Sequence, residues 1–193
     1  MTDKLIKLVR KGFETIKDHR RSNTSHSLAD LLSAGFAMFS LKDPSLLIFR
    51  QQYTRRSENL ERVYGIQSIP EDTALRKGLD KVNPSDLEEQ FRVPLAELQT
   101  QEVFTEREVL DGYTAISCDA TGNYCSGKKQ CAHCMVKNLG NGEQRYYHQL
   151  LAAVMTHPRQ KTVFPVACEA IVKQDGSTKN DCERNASKRL IPK

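Results

Sequence analysis

Apolar residues recur at three- and four-residue spacing through roughly the first 110 positions and then change to short alternating or continuous runs. Leu28, Leu31, Leu32, Phe36 and Phe39 form one stripe directly after Ser27, a residue suited to an N-cap. Ala29, Ala34, Ala37 and Met38 make most of the remaining surface apolar, which predicts a central, buried helix. Asp43-Pro44 predicts a cap and first position for a second helix, running to about Arg56 and forming a hairpin or helix-turn-helix with the first. Ser57 opens a short helix that Gly65 stops, and Ser68 and Glu71 have capping-box spacing for another. Asn83-Pro84 opens a longer helix with Leu87, Phe91, Leu95 and Leu98 on one face and a kink at Pro94.

After Asp111-Gly112, a turn signal, residues 113–119, 146–155 and 162–168 read as three strands. Residues 174–178 read as a loop, and a capping-box-like start at Asn180 predicts a helix over about 181–190. The pattern predicts an α+β chain: a helical N-terminal domain over 1–110, then β-β-β-α over 111–193. There is no internal repeat or low-complexity segment.

Composition narrows the class. At 38% hydrophobic and 27% charged the chain can bury a core, and no apolar run reaches the roughly 18 residues of a membrane span. The first residues alternate charge with apolar positions, unlike a signal peptide, so a cytoplasmic protein without a membrane partner is expected. In that setting six cysteines read as thiols or metal ligands rather than a disulfide framework. The net charge of +5 is uneven, with basic segments at both ends and an acidic one over 57–112. That distribution suits an anionic partner, nucleic acid foremost. The paired cations Arg20-Arg21, Arg55-Arg56 and Lys128-Lys129 are candidate phosphate contacts, and Lys188-Arg189 is a further pair; each pair taken alone reads first as solvated surface.

Asp119, at the expected C-terminal end of the first strand, is placed either to hold a divalent cation or to cap a turn. Asp181 and Glu183 could join it around a metal or simply complement a helix N-terminus. Cys131 and Cys134 form a CxxC pair which, with Cys125 and His148, supplies four possible zinc ligands in a knuckle between strands. Free thiols and a core histidine are the competing readings. The flanking Lys128, Lys129, Gly140 and Gly142 read as loop, unlike a redox CxxC that opens a helix. Cys118 and Cys168 read as small core residues. No glycine-rich phosphate loop and no Ser-His-Asp order is present.

Five blocks carry a family likeness: DHRRSNTSHSLADLLSAGFAMFSLKDPSLLIF, NLERVYGIQSIPEDTALRKGLD, AISCDATGNYCSGKKQCAHC, YYHQLLAAVMTHP and QDGSTKNDCERNASKR. From about Asp18 onward the chain resembles the N-terminal half of bacterial insertion-sequence transposases of the DDE type. The resemblance implies a helical region followed by the β-β-β-α opening of a ribonuclease H-like core, with Asp119 as the first catalytic carboxylate. It implies two Mg²⁺ ions held by Asp-Asp-Glu for in-line attack on a phosphodiester. It also implies insertion-sequence DNA ends as partner, together with full-length transposase or a second copy, and a nucleoid-associated location. The sequence reads Asp119-Ala120-Thr121 where the family has Asp-Gly-Thr, and it stops before the second Asp and the final Glu. The expectation is therefore a truncated transposase, poorly folded beyond residue 112 and inactive alone, with one sheet edge exposed. The alternatives are a non-catalytic DNA-binding remnant or inhibitor of full-length transposase, and a small zinc-knuckle protein unrelated to DNA breakage.

Overall fold

A computed structural model describes residues 2–21, 23–172 and 182–192. The architecture is α+β and divides into two compact units, residues 1–101 and 102–193.

The first unit is helical: α1 (Thr2–Thr15), α2 (Leu28–Ser40), α3 (Leu46–Gln51), α4 (Tyr53–Tyr64), α5 (Asp72–Leu79) and α6 (Pro84–Thr100). Helix α1 was hidden by its density of charge, yet Ile6, Val9 and Phe13 recur at helical spacing and are buried. Helix α2 is the expected buried element, with Leu31, Ala34 and Ala37 sealed from solvent. Its start is a reciprocal capping box: Ser27 Oγ accepts from the Asp30 amide at 3.1 Å, and the Asp30 carboxylate accepts from the Ser27 amide at 3.2 Å. Arg10 of α1 then donates to Asp30 at 2.8 Å, Ser33 Oγ at 2.9 Å and the Ala29 carbonyl at 3.1 Å. Burial raises the Asp30 carboxyl, but the bonds from Ser27 and Arg10 outweigh it and leave the group below its ordinary range. Gly78 of α5 is required by proximity, since a Cβ there would overlap the Leu31 side chain of α2.

Four details depart from the expected helices. Ser45, not Asp43, caps α3, accepting from the Ile48 amide at 3.2 Å. Asp43 is instead drawn into an ion pair with Arg56 at 2.6 Å, with only 6% of its side chain exposed. The single helix expected to Arg56 breaks at Gln52, which ends α3 and starts α4, so Ser57 lies inside α4; Gly65 does stop it, at φ 69°. Ser68 makes no cap, because its hydroxyl is bonded to His26 Nδ1 at 3.2 Å, and α5 begins at Asp72. Asn83 opens α6 as expected, accepting from the Ser85 amide at 3.1 Å, and Pro94 lies inside that helix. Of the expected α6 stripe only Leu98 is buried, and Phe91, like Phe39 of α2, is exposed.

The second unit is built on β1 (Glu108–Leu110), β2 (Tyr113–Ser126), β3 (Met135–Asn138), β4 (Gln144–His157), β5 (Gln160–Ile171) and α7 (Glu183–Leu190). All pairings are antiparallel. Strand β4 is central, with β2 along one edge, while β3 and β5 share the other. Residues 150–155 alternate in burial, with Leu151, Ala153 and Met155 buried. Ala186 and Leu190 of α7 pack on that face with Leu151, Ala153 and Ile171, and Arg189 bonds Glu169 at 2.7 Å. This packing corrects the expectation of a poorly folded segment after residue 112: one short helix covers the buried sheet face. From Ala115 onward β2 is paired only with β4 among the described residues, leaving its outer edge open. The expected loop at 174–178 and the Asn180–Asp181 helix start lie outside the described residues. No helix among the described residues is long and apolar enough to cross a membrane.

Candidate metal centre

Asp119 does not end a strand. It is an interior, exposed residue of β2, opposite Ala152 of β4. The strand continues past it because Ala120 to Ser126 keep pairing with β4, so the expected polar loop after Asp119 is sheet. Its carboxylate accepts from the amide of Ala120 at 2.9 Å. Among the described residues no further carboxylate joins it in a metal-binding group. Glu169 is engaged with Arg189 of α7, Glu183 is exposed at the start of α7, and Asp181 lies outside the described residues. A two-metal Mg²⁺ site needs several carboxylates, so these residues do not fit one, and no phosphoryl-transfer step follows from them.

The cysteine–histidine group is different. Cys131 Sγ lies 3.3 Å from His148 Nε2, Cys134 Sγ lies 3.3 Å from the same nitrogen, and the two sulfurs are 3.6 Å apart. His148 is placed by β4 and Cys134 by the turn leading into β3, where it is buried while Cys131 is exposed. The turn is closed by the Cys134 amide donating to the Cys131 carbonyl at 3.2 Å. The Cys131 amide in turn donates to Cys134 Sγ at 3.3 Å. Tyr124, opposite His148 in register, holds its ring 5.7 Å from the imidazole. The tyrosine hydroxyl donates to the Lys129 carbonyl at 2.9 Å, and Ser126 Oγ accepts from the amides of Lys128 and Lys129. The basic loop is thus fastened on one side by β2 and on the other by the cysteine turn.

Cys125 does not join the group. It follows Tyr124 in an extended strand, so its side chain points to the opposite sheet face from Tyr124 and His148. His133 lies between the two clustered cysteines but is exposed and outside the cluster. Asp119 shares the His148 face at a distance: Ala152, its partner, is four residues from His148, about 13 Å along the strand. The strand at 135–138 was missed because the four residues are short and set among loop-forming neighbours, although Met135 is fully buried. Cys118 is exposed rather than a core residue, and Cys168 is half-buried.

The candidate phosphate contacts divide. Arg20 is tied to Asp18 at 2.6 Å and to the His26 carbonyl at 2.9 Å, and Arg56 to Asp43. The Arg20 guanidinium holds the Asp18 carboxyl well below the usual carboxylate range, and Asp18 also accepts from the Leu28 amide at the first turn of α2. Those two arginines fasten loops to helices. Arg21, Arg55, Lys128 and Lys129 are exposed and have no ion-pair partner among the described residues. Lys7 and Lys11, one turn apart on α1, are a further exposed basic pair that the paired-cation pattern did not single out.

Compared with protein families, curated proteins and solved structures, the chain finds no match.

Proposed function

We propose that this chain acts in DNA transposition as a DNA-binding protein of the DDE transposase type, without phosphodiester chemistry of its own. The observation that carries the DNA-binding part is a set of exposed cations in each unit that have no ion-pair partner among the described residues: Arg21 and Arg55 in the first, Lys128 and Lys129 in the second. Phosphate contacts of this kind supply affinity and register without reading sequence. The transposase part is supported by the ordered blocks quoted above and by the order of elements. An antiparallel β2–β4–β5 meander followed by a helix on one face is in line with the β-β-β-α order that the resemblance implies. Among the described residues no second carboxylate joins Asp119, which is why binding, rather than strand cleavage, is assigned.

A fluorescently labelled duplex titrated with the full chain at stepped salt tests this reading. The logarithm of the binding constant is expected to fall linearly with the logarithm of salt, by about 0.9 for each phosphate neutralised. Replacing Lys128 and Lys129 by alanine should lessen the slope by about 1 per lysine. Asp119→Asn should leave binding unchanged, and adding Mg²⁺ should produce no nicking of the duplex. Binding that is absent at low salt, or unaffected by salt, would contradict the proposal.

A further inference from the structure

The geometry points to a zinc ion held by Cys131, Cys134 and His148, with the fourth position filled by solvent. Tetrahedral zinc with Zn–S near 2.3 Å and Zn–N near 2.0–2.1 Å requires its sulfurs to be about 3.8 Å apart and each sulfur to be about 3.5 Å from the nitrogen. The three distances, 3.6, 3.3 and 3.3 Å, match that triangle within a few tenths of an ångström. A disulfide does not describe the pair, since bonded sulfurs lie about 2.05 Å apart. Two thiolates and an imidazole in a tetrahedral arrangement suit Zn²⁺ over the oxygen-seeking Mg²⁺ or Ca²⁺. Metal binding releases the thiol protons to solvent and leaves the oxidation states unchanged.

The ion acts as a clasp. His148 sits on the central strand, whereas both cysteines belong to the turn between β2 and β3, so one ion joins the basic loop to the middle of the sheet. Through Tyr124 and Ser126 the same loop presents Lys128 and Lys129. The inference stands on the ligand geometry alone and holds whether or not the chain binds DNA.

The test uses the full chain purified under reducing conditions without chelator. One equivalent of zinc is expected by elemental analysis, and Co²⁺ exchanged into the site should give the thiolate charge-transfer and intense d–d bands of a tetrahedral centre. Cys131→Ser and His148→Ala should each lose the stoichiometric metal, while Cys125→Ser, on the other sheet face, should keep it. Because a variant that fails to fold also loses metal, the wild-type chain is titrated in parallel with a thiol reagent while zinc release is followed. Release should track modification of Cys131 and Cys134, identified by peptide mass spectrometry. Three results each overturn the inference: a wild-type chain that neither retains zinc nor takes up cobalt tetrahedrally, metal loss from a folded Cys125→Ser, or a Cys131–Cys134 disulfide recovered from the reduced preparation.

Discussion

Phe49→Ala is expected to destabilise the helical unit by about 3–5 kcal/mol, the usual result of truncating a fully buried phenylalanine. Phe49 is 1% exposed and belongs to the cluster that joins α1, α2, α4 and α5 through Val9, Leu31, Leu60 and Leu75. It is also the one buried residue of α3, a helix of six residues that has little intrinsic stability. Losing the ring removes the anchor of α3 and opens a cavity in that cluster. A domain of this size has roughly 5–15 kcal/mol in total, so the loss is a large fraction. Each kcal/mol lowers the midpoint by roughly 4–8 °C. Thermal unfolding followed by circular dichroism checks this. A midpoint within a few degrees of wild type would mean that Phe49 is not in the core.

Chelation should have an effect of the same order on the other unit. A ligand that binds only the folded state stabilises it by about 4 kcal/mol when present at a thousand times its dissociation constant. The sheet has a modest core of its own, Met135, Leu151, Ala153 and Ile171 with Ala186 and Leu190, and an open edge along β2. Without the ion, the basic loop is fastened by the Tyr124 and Ser126 hydrogen bonds and by the bonds within the cysteine turn. Hydrogen exchange with and without chelator is expected to show faster exchange over β3 and the 127–134 loop, and trypsin should cut after Lys128 or Lys129 sooner. The helical unit should exchange at an unchanged rate. Equal protection in both states would separate the metal from the stability of the sheet.

The fold class was legible because its cues are local. Ser27, Gly65 and Asn83-Pro84 mark helix ends by chemistry that acts within three residues, and each does so in the structure. Asp43 and Ser68 carry the same local signals but are taken by partners 13 and 42 residues away, Arg56 and His26, which no local pattern reveals. Helix α1 had the spacing but not the average hydropathy, and its buried stripe is only Ile6, Val9 and Phe13. Strand length was underestimated for a related reason: past Asp119 the run Ala-Thr-Gly-Asn-Tyr-Cys-Ser lacks strand propensity, and pairing with β4 holds it extended.

The cysteine–histidine group was half legible. The CxxC spacing identified Cys131 and Cys134, and His148 followed as a candidate partner. Choosing between Cys125 and an open position required knowing that a bulge near Gly122 sets Tyr124 beside His148, which sends Cys125 to the far face. Among the paired cations, Arg20 and Arg56 were indistinguishable in sequence from Arg21 and Arg55, because an ion pair with Asp18 or Asp43 depends on loop geometry.

X-ray absorption at the zinc edge of the purified full chain is the most direct test of the metal centre. The account predicts a shell of two sulfurs at about 2.3 Å and two lighter scatterers at about 2.0–2.1 Å, one of them with the outer-shell pattern of imidazole. A shell of oxygen and nitrogen alone, or three sulfurs with Cys125 among them, would contradict it.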